Sequence, residues 1–181
     1  MHLRREFKLK QSAEVERHSS SLYKLLDAMA AIYAEKLPRY FRIPNMRIKE
    51  KHRHGFTPFT TLTFLKSAPA AVHLDARNGA DSLACMTTVA DPDPAKMYSG
   101  GAFCFIEYGV EIQVKPGDLL IGATPKNWHC NLSPVQRLKY SVIAYSKKAL
   151  RRNNPLLPED SPKNPDQYDP SVSYKPKRRK K

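Results

Sequence analysis

The feature that most constrains the fold is a change of period near residue 56. Beyond it the chain breaks into short runs of alternating or apolar residues: Phe59–Leu65, Ala71–Asp75, Leu83–Ala90, Ala102–Tyr108, Val110–Val114, Asp118–Ala123 and Lys139–Ser146. Gly, Pro, Asp and Asn punctuate them, so each reads as a strand closed by turns. With no second helix between them, at least seven short strands predict an antiparallel double-sheet β fold such as a jelly roll.

One helix precedes the strands. In SSSLYKLLDAMAAIYAEKLPRYF, the residues Leu22, Leu25, Leu26, Met29, Ile32, Tyr33 and Leu37 recur at helical spacing. Ser19 or Ser20 can cap its start and Pro38 stops it. Its single apolar stripe needs a surface to cover, which places it on an outer face of the sheets. The expected class is therefore an all-β core with a flanking N-terminal helix (α+β).

The ends differ from this middle. Residues 1–18 are highly charged and read as an arm or a frayed helix. Residues 19–150 form the one expected domain. Residues 151–181 carry six of the 15 prolines and few apolar side chains, so they cannot offset chain entropy and are expected to be disordered. The formal net charge is +14, of which this tail holds nine Lys/Arg against four Asp/Glu. Such an excess favours a polyanionic partner, nucleic acid first and an anionic membrane surface second. The closing KRRKK is either a nuclear localisation signal or a solubilising end. No apolar run approaches the roughly 20 residues of a membrane span. The charged start predicts no signal peptide, and three cysteines without a CxxC pair predict neither a disulfide scaffold nor a zinc finger. The expected location is intracellular and nuclear.

The chemistry concentrates in AAVHLDARN. His73 and Asp75 are two apart in an extended stretch, so both point to one face. An imidazole and a carboxylate are two members of the 2-His-1-carboxylate triad that holds Fe(II) with open positions. HxD alone is a weak signal, and a third ligand must come from a distant strand. KNWHCNLSPV offers His129. Further on, Lys139, Ser141, Ile143 and Tyr145 share a strand face, and a cation and hydroxyl there suit the distal carboxylate of an oxo-acid. Arg137 competes for that role if the strand begins earlier.

HxDxxN, a GG-led segment ending in EYGV, VKPGDLL, a distal His and a basic residue–x–Ser strand with a late Tyr follow in that order. From about Phe59 to Ser146 the chain resembles the Fe(II)- and 2-oxoglutarate-dependent dioxygenases of the TET/JBP group, particularly their compact fungal and microbial relatives. The resemblance implies a double-stranded β-helix (jelly roll/cupin-like). It implies iron ligands at His73, Asp75 and His129, and a 2-oxoglutarate site at Lys139 and Ser141, where the group usually has Arg rather than Lys. Asn78 matches the motif and orients cofactor or substrate or braces the metal loop, or else serves an Asn-Gly turn. The implied reaction oxidises the 5-methyl of a pyrimidine, 5-methylcytosine or thymine, in nucleic acid, most naturally DNA demethylation chemistry. The target nucleotide must be flipped out to reach iron. Tyr98, Phe103 and Trp128 are candidates to stack on it, and Arg47–His54 to hold phosphates. The chain is short for the group, so a partner or fused domain is expected to complete substrate recognition. Two other readings remain open: an oxygenase acting on a protein or small molecule, and a non-catalytic β-barrel that binds nucleic acid.

The remaining residues read more plainly. His52 and His54 are expected at the surface or facing phosphate. Cys85, Cys104 and Cys130 read as small hydrophobes within or beside strands. Gly100-Gly101 reads as a hairpin turn or, second to that, a close backbone approach, and Pro116-Gly117 reads as a type II turn.

Overall fold

The computed structural model describes residues 13–48, 52–54, 57–89, 93 and 97–151. The charged stretch before residue 13 and the Pro-rich tail after Arg151 lie outside the described residues. Two helices come first, α1 (Ala13–Lys36) and α2 (Pro38–Arg47). Pro38 stops α1 as expected, yet it also starts α2: a proline costs nothing at the first helical position, where its missing N–H would have no partner. The second helix was not visible in the sequence, because Pro44 lies inside it.

Ten strands follow. They are β1 (Thr61–Lys66), β2 (Ala70–His73), β3 (Ala84–Val89), β4 (Ser99–Gly100), β5 (Phe103–Phe105), β6 (Val110–Ile112), β7 (Leu119–Gly122), β8 (His129–Asn131), β9 (Pro134–Gln136) and β10 (Tyr140–Tyr145). They form two four-stranded antiparallel sheets, β1-β10-β3-β7 and β2-β8-β5-β6, and the pair β4-β9. This is the double-stranded β-helix that the strand count and the resemblance pointed to.

Two apolar layers hold it together. Between the sheets, Met86 and Ile143 of one meet Phe103, Phe105 and Ile112 of the other, with Val114 and Leu120. Outside the first sheet, Leu26, Met29, Ala30 and Tyr33 of α1 pack on Phe59, Leu62, Cys85, Ile121 and Ala144. Strand β3 is therefore covered on both faces, and its first five residues are all buried. The Tyr33 hydroxyl is also used: it donates to the Tyr40 carbonyl at 2.8 Å and accepts from the Leu83 amide at 3.3 Å. So α1 bonds both to α2 and to the strand it covers, as its apolar stripe required.

Two local readings change. Gly100 and Gly101 are not a hairpin turn but the entry to β5, both at φ +69. A β-carbon on Gly100 would stand 2.8 Å from Val135 Cγ2, and one on Gly101 3.1 Å from Lys139 Cδ. Positive φ and close approach thus both require glycine here. His54 is not at the surface: it is buried, with its ring 6.3 Å from that of Tyr23, and desolvation lowers its pKa. Pro116-Gly117 does form the expected turn, with Gly117 at φ +90 and the Asp118 amide on the Lys115 carbonyl at 3.0 Å. Among the described residues, no helix is long and apolar enough to cross a membrane.

Candidate metal centre

His73 ends β2 and His129 begins β8, and the two face each other across the antiparallel pair. Asp75 lies just past β2, where its amide donates to the Thr124 carbonyl at 3.1 Å. One ligating atom from each of the three residues falls within 4.8 Å of the others. Among the described residues no other cluster of three His, Cys, Asp or Glu does so.

The imidazoles are held in a specific way. His73 Nδ1 is 2.7 Å from the Ala71 carbonyl, and His129 Nδ1 is 2.9 Å from the Asn127 carbonyl. A carbonyl only accepts, so each Nδ1 carries a proton, the tautomer that in a neutral imidazole leaves the lone pair on Nε2. Both Nε2 atoms point at Asp75, at 3.8 Å from Oδ1 for His73 and 3.9 Å from Oδ2 for His129. These gaps are too long for hydrogen bonds. They do suit an ion between the groups, since two atoms each about 2.1 Å from one ion lie at most about 4.2 Å apart. Carbonyl partners on the far nitrogens are what orient metal-bound histidines elsewhere. Two imidazoles and one carboxylate favour Fe(II) and leave positions for other ligands.

The centre is closed on one side and open on the other. His129 has 4% of its side chain exposed, against 42% for His73 and 31% for Asp75. Phe103 lies nearly parallel to the His129 ring, with centroids 5.3 Å apart, and Phe105 approaches it at 6.5 Å.

A small cleft is lined by Leu65, Ser67, Ala68, Asn131, Leu132, Pro134, Lys139 and Ser141. Lys139 is buried, its Nζ donates to the Gly101 carbonyl, and it stands 5.6 Å from the centroid of the Tyr98 ring. Its amide donates to Ser67 Oγ at 3.0 Å and its carbonyl accepts from the Ser67 amide at 2.7 Å. Desolvation lowers the pKa of this ammonium. Ser141 is buried beside it.

The other expected residues divide. Arg137 is exposed, at φ +62 just before β10, and is not among the residues lining the cleft. Tyr98 and Phe103 both have partners inside the fold. The Tyr98 hydroxyl contacts the Val114 carbonyl and Thr88 Oγ1, and one face of Phe103 is covered by His129. Trp128 is 45% exposed, next to His129. Its amide donates to Glu107 Oε2 at 3.3 Å, so its place at the rim is set by backbone. Asn78 is buried; its amide donates to the Asp75 carbonyl at 2.9 Å in a turn, and it bridges Lys147. The basic stretch Arg47–His54 is less available than its sequence implied. Arg47 pairs with Asp81 at 2.7 Å, Arg53 donates to the Asn45 carbonyl and His54 is buried; residues 49–51 lie outside the described set. Sequence reasoning missed Asn131, which shares a strand face with His129 only once β8 is known to be a strand. It also missed Ser67, for which no sequence signal existed, and it read the Gly100-Gly101 pair without placing the Gly101 carbonyl on Lys139.

A family model described as the oxygenase domain of the 2OGFeDO superfamily, Tet_JBP, matches residues 2–148. Among solved structures the chain is similar to NgTET1 in complex with 5mC DNA, with a TM-score of 0.59 at 9% identity. The match covers 71% of this chain and 49% of that one, so this chain spans about half the length of that protein. No curated protein matches the chain.

Proposed function

The chain belongs to the Tet/JBP family of the 2OGFeDO superfamily of oxygenases, and from that premise we propose that it oxidises the 5-methyl group of a pyrimidine in nucleic acid, 5-methylcytosine in DNA before thymine. It is an Fe(II)- and 2-oxoglutarate-dependent dioxygenase. The observation that carries the assignment of its centre is the pair of imidazoles with Nδ1 bound to carbonyls and Nε2 turned toward one carboxylate.

In this reading His73, Asp75 and His129 hold the iron, which together with 2-oxoglutarate and O₂ supplies hydroxylation of a C–H bond. Lys139 binds the distal carboxylate of 2-oxoglutarate as a point charge, and Ser141 adds a hydroxyl. The Gly101 carbonyl and the Tyr98 ring hold Lys139 in place for that contact. Asn78 braces the turn that carries Asp75. Phe103 and Phe105 close the far side of His129 and exclude water from it. The exposed edge at His73 and Asp75 admits the substrate, and Trp128 at the rim stacks on the flipped base or on the gap it leaves. The bound 5mC DNA of NgTET1 supports the choice of substrate, and the net charge of +14 supports a nucleic-acid partner.

The test is turnover of a methylated DNA duplex with Fe(II) and 2-oxoglutarate, read as succinate and oxidised base by mass spectrometry. Both products are expected, and His73→Ala or Asp75→Ala should abolish them along with metal binding. Iron bound, 2-oxoglutarate consumed on a protein or small molecule, and no oxidised base would reject the substrate assignment.

A further inference from the structure

The face of the second sheet opposite the metal centre carries an arrangement that the reaction does not use. Strands β8, β5 and β6 run side by side, and their register puts Cys130 opposite Cys104 and Cys104 opposite Glu111. Side chains alternate along a strand. Phe103 stacks on the His129 ring on the inner side, so Cys104 and Cys130 both project outward. The two residues are direct cross-strand neighbours on that face.

The spacing is set by the ladder. The Leu132 amide bonds the Ala102 carbonyl and the Ile106 amide bonds the Trp128 carbonyl. Pairing alternates along an antiparallel ladder, so the pair between them, Cys104 and Cys130, is also a hydrogen-bonded one. Such partners have α-carbons about 5.5 Å apart. Disulfides bridge α-carbons about 4.4–6.8 Å apart. Both residues are free thiols here. Cys104 is partly exposed, whereas Cys130 is buried. The third thiol, Cys85, is buried beneath α1 in the other sheet.

We propose that Cys104 and Cys130 form a reversible thiol/disulfide pair, a modification site on the face of the sheet away from the iron ligands. The oxidant is a low-molecular-weight disulfide such as oxidised glutathione. Cys104, the accessible thiol, gives up its proton and attacks one sulfur, releasing one glutathione thiol and leaving a mixed disulfide. Cys130 then attacks the Cys104 sulfur and releases the second. Two thiols are oxidised to one disulfide, one glutathione disulfide is reduced to two thiols, and both protons leave on them. No metal ligand is consumed, yet the new bond joins the two strands that present His129 and Phe103.

The experiment equilibrates the full reduced chain with mixtures of oxidised and reduced glutathione and reads intact mass and proteolytic peptides. The expected result is loss of two hydrogens, a cross-linked peptide containing Cys104 and Cys130, and full reversal by dithiothreitol. Cys130→Ser should stop at one glutathione on Cys104. A stable glutathione adduct on Cys104 of the unsubstituted protein with no loss of two hydrogens would overturn the proposal. So would a cross-link through Cys85 or between chains.

Discussion

Lys139 stands where a bidentate guanidinium would be the simpler choice for a carboxylate. Its environment explains what the lysine needs: one donor is taken by the Gly101 carbonyl and burial depresses its pKa. In the proposed role the contact with 2-oxoglutarate requires the ammonium. As pH rises through this lowered pKa, the cation is lost and the KM for 2-oxoglutarate should climb, beginning below the ordinary lysine range near 10.4. Lys139→Arg, charged throughout, should flatten that climb, and Lys139→Ala should raise KM by about 10–100-fold at neutral pH. Steady-state kinetics against pH check both. Trp128 makes a separable contribution. Base stacking is worth about 1–3 kcal/mol, so Trp128→Ala should raise the KM for DNA by roughly 10-fold and leave that for 2-oxoglutarate unchanged.

The connection between elements depends on one carboxylate. Asp81 bonds Arg47 at the end of α2 and Arg151 after β10, and Arg151 also bridges Ile48. Arg151 Nε and Nη2 and Arg47 Nε are buried without another partner. Burial by itself would raise the Asp81 pKa, but the hydrogen bond from Arg151 and the two positive charges outweigh it and the carboxyl is held below its usual range. Asp81→Asn should therefore cost about 3 kcal/mol, because it strands the buried guanidinium of Arg151 and unpairs Arg47. That corresponds to a melting temperature lower by roughly 6–12 °C. The sign with pH follows from the depressed value: the stabilisation is complete above the unfolded pKa near 3.9 and is lost as pH falls through the folded one. Melting curves of wild type and variant should converge in strong acid.

The same scale shows what the sequence could disclose. Strands β1, β3, β7 and β10 were readable because each is covered by the core on at least one face, which imposes periodicity. HxD was readable because its two residues are the only ones of their type in that strand. Strands β8 and β9 were not, since three residues amid Asn, Ser and Pro show no period. The choice between Arg137 and Lys139 was not legible either. It turns on a left-handed φ at Arg137 that breaks the strand before it can carry that side chain inward. Arg47 and Arg53 read as phosphate ligands because a sequence displays charge but hides the internal acceptor each one meets.

At the scale of the whole molecule, the iron centre and the barrel are one thermodynamic unit. An ion that binds only the folded chain at 100 times its Kd adds about 2.7 kcal/mol. Anaerobic Fe(II) should raise the melting temperature by roughly 5–11 °C, and His129→Ala should remove the rise. The positive field acts on the same scale, so duplex binding should weaken linearly in log affinity against log salt. Titrations at several ionic strengths read that slope, and an affinity insensitive to salt would deny the charge its role.

The pairing of β1 with β10 joins Thr61 to Tyr145 and encloses every proposed iron ligand between its ends. Contacts so distant along the chain form late, because a long loop must be ordered before they repay it. His73 and Asp75 lie far before the third residue of the cluster, and the three come together only where β8 pairs with β2. The proposed metal site is thus a product of long-range pairing, and no local stretch of the chain holds all three of its residues.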